Sequence, residues 1–407
     1  MSSFLLLSVI GMAQTLNKGE LSIAPGTVLS TVDELQNASN ATLVNDGDLY
    51  LYGDFRNDGQ VGFTPGVVTG ATYLNGMGVQ RITGEAPMEW NHVVFDNNTG
   101  SQPAFLLDSY VQIYGVATFD KGIIDTDKHG GLIVFENGSG HLNASRESYV
   151  QGEVRKVGNE AFLYPSGYNG MYSPMEISAP SNEKDSFTGR YYLENSNGQY
   201  PHSNKAGEIL DIDDAEYWKI EKTSGVSDVF LTLTWNEEVT PRAIYQAPYE
   251  EISIVHWDDA QNRWIDIGGA ADPNTKQVSM IADPLKAYGV FTLARVKRVD
   301  DPACGGKKIV VYNAVSPNED GINDYFNVAG IEGCASSSVQ IYNRWGVKVY
   351  ETSAYNTSGN VFRGFSEGRA TVNRGEKLPD GTYFYILDYV NDNGKKVNKA
   401  GYLYISQ

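Results

Sequence analysis

Asn45-Asp46-Gly47-Asp48-Leu49-Tyr50-Leu51-Tyr52-Gly53-Asp54-Phe55-Arg56-Asn57-Asp58-Gly59 is the stretch on which the fold turns. Two Asn-Asp-Gly triplets twelve residues apart bracket the tetrad Leu49-Tyr50-Leu51-Tyr52. Asn and Asp tolerate left-handed backbone and Gly adopts it freely, so each triplet reads as a turn and the tetrad between them as a short strand. The same grammar runs from Leu21 to about Ile177, through Val93-Val94-Phe95, Phe105-Leu106-Leu107, Val111-Gln112-Ile113-Tyr114, Val116-Ala117-Thr118-Phe119, Ile123-Ile124 and Leu132-Ile133-Val134-Phe135. Such brief strands cannot bury their apolar faces one by one, but stacked as rungs of a coil they can. The pattern predicts an N-terminal parallel β-helix-like solenoid over residues 14–179. A β-sandwich carries the same turn signals, because periodicity does not fix strand direction, and stands as the alternative.

The pattern then changes. Val229-Phe230-Leu231-Thr232-Leu233-Thr234-Trp235 alternates, as half-buried antiparallel strands do, and Ile252-Ser253-Ile254-Val255-His256-Trp257 reads as a further strand. Four of the six Trp lie in this region, suiting a core between two packed sheets. Residues 180–297 are therefore expected to form a middle β-sandwich. Asp300-Asp301-Pro302 and Gly305-Gly306 mark residues 298–307 as a linker. Beyond it, about seven short strands within residues 308–407 predict a C-terminal immunoglobulin-like β-sandwich. The fold class read from the whole chain is all-β.

Composition agrees, with 43 Gly and 26 Tyr among 407 residues. The net charge is −19, and it is uneven: residues 304–407 hold 11 Lys and Arg against 10 Asp and Glu, leaving 20 against 40 before them. So acidic a front repels phosphate backbones and anionic lipid, which argues against nucleic acid and bare membrane as partners. Phe4 to Ala13 is a short apolar run ending Gly11-Met12-Ala13 before Gln14. Small residues three and one positions before a cut between Ala13 and Gln14 suit signal peptidase, so residues 1–13 are expected to be a signal peptide. Cys304 and Cys334 are the only cysteines, and an even count in an exported chain predicts one disulfide.

The last hundred residues resemble a known family. Asn313-Ala314-Val315-Ser316-Pro317-Asn318-Glu319-Asp320-Gly321-Ile322-Asn323-Asp324-Tyr325-Phe326, Ile341-Tyr342-Asn343-Arg344-Trp345-Gly346, Leu378-Pro379-Asp380-Gly381-Thr382-Tyr383-Phe384-Tyr385 and Lys399-Ala400-Gly401-Tyr402-Leu403-Tyr404-Ile405 follow in the order seen in the gliding-motility-associated, type B C-terminal domain of type IX secretion substrates. Glu319 departs from the Gly usual there. The resemblance implies export by signal peptide, passage through the type IX secretion translocon directed by this type B sorting domain, and retention by an outer-membrane barrel of the PorP/SprF type. Localisation is then the extracellular face of the outer membrane, or secretion.

Within that domain, Asn343, Arg344, Trp345 and Gly346 either present Arg and Trp to the partner barrel or form a hairpin turn with Arg344 stacked on Trp345. Asp380, Gly381, Tyr383, Lys399, Gly401, Tyr402 and Tyr404 complete the expected partner-binding set. Tyr402 and Tyr404 fall on one face of the last strand, Leu403 and Ile405 on the other. The loop from Ser316 to Asn327 fits the twelve-residue calcium template at its inner positions, but Ser316 and Asn327 lack the anchoring carboxylates of an EF-hand. Asn318, Asp320, Asn323 and Asp324 either form a looser Ca²⁺ cage or cap turns through their own backbone. No other cofactor is expected.

Glu208, Asp211, Asp213, Asp214 and Glu216 form the densest acidic cluster and read as a solvated loop. The five His are scattered, and no metalloprotease, nucleophile-elbow, phosphate-loop or Cys-x-x-Cys motif occurs. The expected function is a non-enzymatic surface protein, an adhesin or assembly component meeting an extracellular glycan or surface ligand. The rival is a secreted polysaccharide-degrading enzyme with a carboxylate pair on the β-helix.

Overall fold

The computed structural model describes residues 14–281, 283–297, 304–318, 320–321, 323–367 and 375–406. The segment read as a signal peptide, including Ala13, lies outside the described residues, as do residues 298–303 of the linker. The protein is all-β, 48% strand and 3% helix, and its front is a solenoid of about six turns.

Each turn supplies one strand to each of three parallel sheets. The first sheet runs from Thr15–Asn17 through Leu35–Asn37, Phe55–Asn57, Gln80–Thr83, Phe105–Leu107 and Ile124–Asp125 to Val150–Gln151. The second begins at Glu20–Ile23 and the third at Val28–Thr31. Parallel register between successive turns, such as Leu35 with Phe55 and Asn37 with Asn57, decides for the solenoid over a sandwich in this region. Inward columns of like residues fill it. Leu51, Leu74, Phe95 and Phe119 stack along the third sheet, and Leu43, Val61, Met88, Val111, Ile133 and Val154 along the second, all buried in one core.

The twelve-residue spacing of the Asn-Asp-Gly triplets is not a rung. Asn45-Asp46-Gly47 turns the corner from the second sheet to the third, whereas Asn57-Asp58-Gly59 turns from the first to the second. The repeat that marks a rung is Asn17, Asn37 and Asn57, where each side-chain amide donates to the next residue's Oδ1 at 2.9 and 2.8 Å. Asn37 and Asn57 are fully buried, and their ladder satisfies corner carbonyls that the coil would otherwise strand, such as Gln60 O at 2.9 Å from Asn37 Nδ2.

The second sheet does not stop where the coil does. Val154–Val157 pairs antiparallel with Ser186–Tyr192, and the sheet continues through Tyr217–Ser224, Gly289–Val296, Ile252–Asp258 and Arg263–Gly268. A second antiparallel sheet joins Phe162–Tyr164, Met175–Ile177, Leu231–Thr234, Gln277–Ser279 and Ala270–Asp272. The boundary expected at residue 179 falls inside this second sheet, since Met175–Ile177 pairs with Leu231–Thr234. The apolar side chains of both sheets merge with the solenoid's core, so Trp218, Leu231 and Phe291 belong to the same buried cluster as Leu35.

Lys156 seals the junction. Its side chain is 1% exposed, and Nζ donates to Glu136 O at 2.9 Å and Ser139 O at 3.0 Å while pairing with Glu160 at 3.0 Å. Those carbonyls lie at the corner between Leu132–Phe135 and Gly140–Leu142, the last strand of the third sheet, and the ammonium supplies donors to them there.

The carboxyl-terminal region has its own core, built on Phe326, Tyr355, Phe362, Tyr385, Leu387, Leu403 and Ile405. Its five-stranded sheet has the order Ala314–Val315, Lys396–Ile405, Gly381–Val390, Ser336–Asn343, Lys348–Ser353. A short pair, Val310–Val311 with Val328–Ala329, lies apart from it. Cys304 and Cys334 form the expected disulfide.

Candidate functional site: the carboxyl-terminal module

The hairpin between Ser336–Asn343 and Lys348–Ser353 is organised by Asn343. Its Oδ1 accepts from Trp345 N at 3.0 Å and Val347 N at 2.9 Å, while Gly346 N donates to Asn343 O at 3.0 Å. Gly346 sits at φ 74°, which a side chain would resist. Arg344 lies over the Trp345 ring at 4.8 Å, as a hairpin reading requires, and Trp345 remains 45% exposed.

Asp380 and Gly381 form the turn into Gly381–Val390, with Gly381 at φ 147°. Tyr383 is buried, and its hydroxyl donates to Pro379 O at 3.0 Å, so it braces this turn from inside. Gly401 stands opposite Tyr385 in the last strand pair. A Cβ at Gly401 would lie 2.6 Å from the Tyr385 hydroxyl, so the glycine makes room for that ring. Along the last strand Leu403 and Ile405 are buried while Tyr404 is 42% exposed and Tyr402 half-buried, the alternation read from the sequence. Lys399 is half-buried on the same strand.

In the loop that follows Val315, Asn318 Nδ2 donates to Asp320 Oδ2 at 2.9 Å, Asp320 N to Asn318 Oδ1 at 3.2 Å, and Gly321 N to Asp324 Oδ2 at 2.8 Å. Asn323 takes φ 56° and its carbonyl accepts from Ser316 N at 2.7 Å. These are turn-capping contacts. Glu319 and Ile322 lie outside the described residues. Among the described residues no group of three or more His, Cys, Asp or Glu could hold a metal ion.

Four motifs in order thus build one small domain with its own core, its own disulfide and a glycine-shaped last strand pair. Residues 309–405 match the family model of the CHU_C type IX secretion signal domain. The signal domain covers about a quarter of the chain, and it carries the chain's export by type IX secretion, its interaction with that machinery, and a cell-surface or secreted destination. No curated protein matches the chain. No helix among the described residues is long and apolar enough to cross a membrane.

Outside the signal domain two members of the acidic cluster, Asp213 and Glu216, depart from its reading as a solvated loop. Asp213 and Glu216 are 0% and 1% exposed. Asp213 Oδ1 accepts from Ala215 N at 2.8 Å and Glu216 N at 3.3 Å, and its Oδ2 has no hydrogen-bond partner among the described residues. Glu216 accepts from the Tyr191 hydroxyl at 2.7 Å and from Thr240 Oγ1, with Ser173 Oγ at 3.4 Å. Burial pushes the Asp213 carboxyl up to about 8, helped by the neighbouring Glu216, and burial raises Glu216 against its three hydroxyl partners. The reason is positional. Asp213 and Glu216 lead into Tyr217–Ser224, a central strand, and are drawn under the joined sheets with it, while Glu208, Asp211 and Asp214 stay exposed. Nothing in a run of carboxylates signals that, because charged groups are rarely buried without a cation.

Proposed function

We propose that this protein is a non-enzymatic cell-surface component, an adhesin or a part of a surface assembly, held at the outer membrane through its signal domain by a barrel of the PorP/SprF type. The observation that supports this reading is the separate core of residues 309–405, with its exposed Trp345 and Tyr404, behind a body whose coil and antiparallel sheets share one core. A coil with one continuous core presents extended flat sheets, which suits contact with an extracellular glycan or a surface ligand. Asn343, Arg344 and Trp345 are the partner-facing residues in this reading.

Deleting residues 308–407 is expected to leave the body folded in the periplasm. Protease added to whole cells should then degrade the full-length protein but spare the truncation until the outer membrane is broken. Normal surface display of the truncation would overturn the reading.

A second reading, a polysaccharide-degrading enzyme, is favoured by one feature. A shallow cleft of about 370 Å³ on the solenoid is lined by Glu85 and Asp108, with Tyr110 and Gln112 beside them. Release of reducing ends from surface polysaccharides by the purified protein, lost in Glu85→Gln and Asp108→Asn, would establish it. Turnover unchanged by either substitution, or absent altogether, would leave the first reading standing.

A further inference from the structure

Within Gly381–Val390 of the signal domain, Tyr383, Tyr385, Leu387 and Tyr389 fill the domain's core. Thr382, Phe384 and Ile386 alternate with them and point to the opposite face of the sheet. A free face there would leave Phe384 and Ile386 exposed, yet they are 5% and 4% exposed, and Tyr342, cross-strand from Phe384, is 9% exposed. The body lies on that side. Thr382 Oγ1 donates to Asp272 Oδ2 at 2.8 Å, and the edge strand Ala270–Asp272 runs beside Lys396–Ile405.

The sorting hairpin takes part in the same contact. A Cβ at Gly346 would lie 2.8 Å from the Phe230 ring, so backbone and ring meet there without a side chain between them. Burial raises the Glu176 carboxyl, and the Arg344 charge works against that rise, placing the guanidinium within electrostatic reach of the body. Glu176 belongs to the same sheet as Asp272.

We propose that the signal domain docks in cis on the body's second antiparallel sheet, through Thr382, Phe384, Ile386 and Gly346, so that an export receptor reading the hairpin competes with the body for it. The partner of this face is the chain itself. The competition rests on the proposed export function, whereas the docking does not.

The two parts are therefore tested separately. A protease site placed within residues 298–303 of the full chain allows the two halves to be cut apart after folding, and Cys304–Cys334 does not bridge the cut because both cysteines lie beyond it. The halves should co-elute on size exclusion at micromolar concentration. Ile386→Glu on the tail and Phe230→Lys on the body should each weaken reassociation about tenfold or more. The tail of Ile386→Glu is checked by retention of its own thermal transition, and Phe230→Lys supplies the same test with the tail untouched. Separation of the wild-type halves, or co-elution of both variants, would overturn docking. With docking established, Phe230→Lys should increase the translocon recovered with the intact protein, and an unchanged or lower recovery would overturn the competition.

Discussion

Between about pH 6.5 and 8 the protein is expected to lose stability as pH rises, by up to about 1.4 kcal/mol per pH unit for one buried carboxyl. Asp213 carries the effect. Its folded value is raised to about 8 from a usual value near 3.8, because burial penalises the anion and Glu216 stands close by. In the unfolded chain the same carboxyl is already ionised above pH 5. The folded state therefore binds a proton that the unfolded state has released, and the stability it contributes is present at low pH and drains away as pH climbs to the folded value. Glu216, also raised, adds to the slope in the same direction. His141 and His256 work the opposite way, since burial lowers both and holds them neutral in the fold, but their contribution is lost only as pH falls below about 6.5. Lys156, lowered by burial, works in the same direction as the two histidines. Urea denaturation at pH 6.5, 7.2 and 8 would show the midpoint falling. Asp213→Asn keeps an Oδ1 acceptor for Ala215 N and removes the titration, so its profile should be markedly flatter. A rising wild-type profile, or a slope equal in wild type, Asp213→Asn and Glu216→Gln, would show that the pair is ionised in the fold.

That pair marks where the sequence stops being readable. The coil was legible because its signal is local: apolar strands of two to six residues, closed by Asn, Asp and Gly, can satisfy their hydrogen bonds only against neighbouring turns. Its rung length was not read, because the conspicuous Asn-Asp-Gly triplets mark two different corners, while the informative repeat was the plainer Asn17, Asn37, Asn57. A search for single residues recurring at a rung of 20 would have found it. The fusion of coil and middle region was hidden for a physical reason. Val154–Val157 alternates like any strand, and only its partner Ser186–Tyr192, thirty residues away, turns a parallel sheet antiparallel. In the signal domain, motif order identified the domain and the turn chemistry of Asn343, Gly346, Asp380 and Gly381. What Phe384 and Ile386 pack against depends on a surface some hundred residues earlier in the chain, and no motif of the tail records it.

Gly84→Ala is expected to cost about 4 kcal/mol or more, the size reserved for a named steric fault in a core. Gly84 closes Gln80–Thr83 at φ +127°, a conformation that L side chains rarely adopt and that costs on the order of 1–3 kcal/mol. The larger part is contact. A Cβ there would lie 1.8 Å from Asn57 O and 2.4 Å from Asn57 C, both backbone atoms, so no rotamer change can relieve it. The turns have to move apart at the residue that ends the asparagine ladder. Asn57 Nδ2 would then lose Pro87 O, now at 3.0 Å, and Ala86 N would lose Asn57 O, now at 3.3 Å. Two other glycines separate the causes. Gly26 has φ +73° with open space around it, so Gly26→Ala should show the backbone penalty alone, about 1 kcal/mol. Gly78 has open space and no positive φ, and Gly78→Ala should be neutral or slightly stabilising through the unfolded state. Denaturation midpoints in the order Gly78→Ala, Gly26→Ala, Gly84→Ala, highest first, are the expected result. If Gly84→Ala costs no more than Gly26→Ala, the rungs yield to a methyl group at this corner, and the close packing of Asn57 on Gly84 does not hold the coil in register.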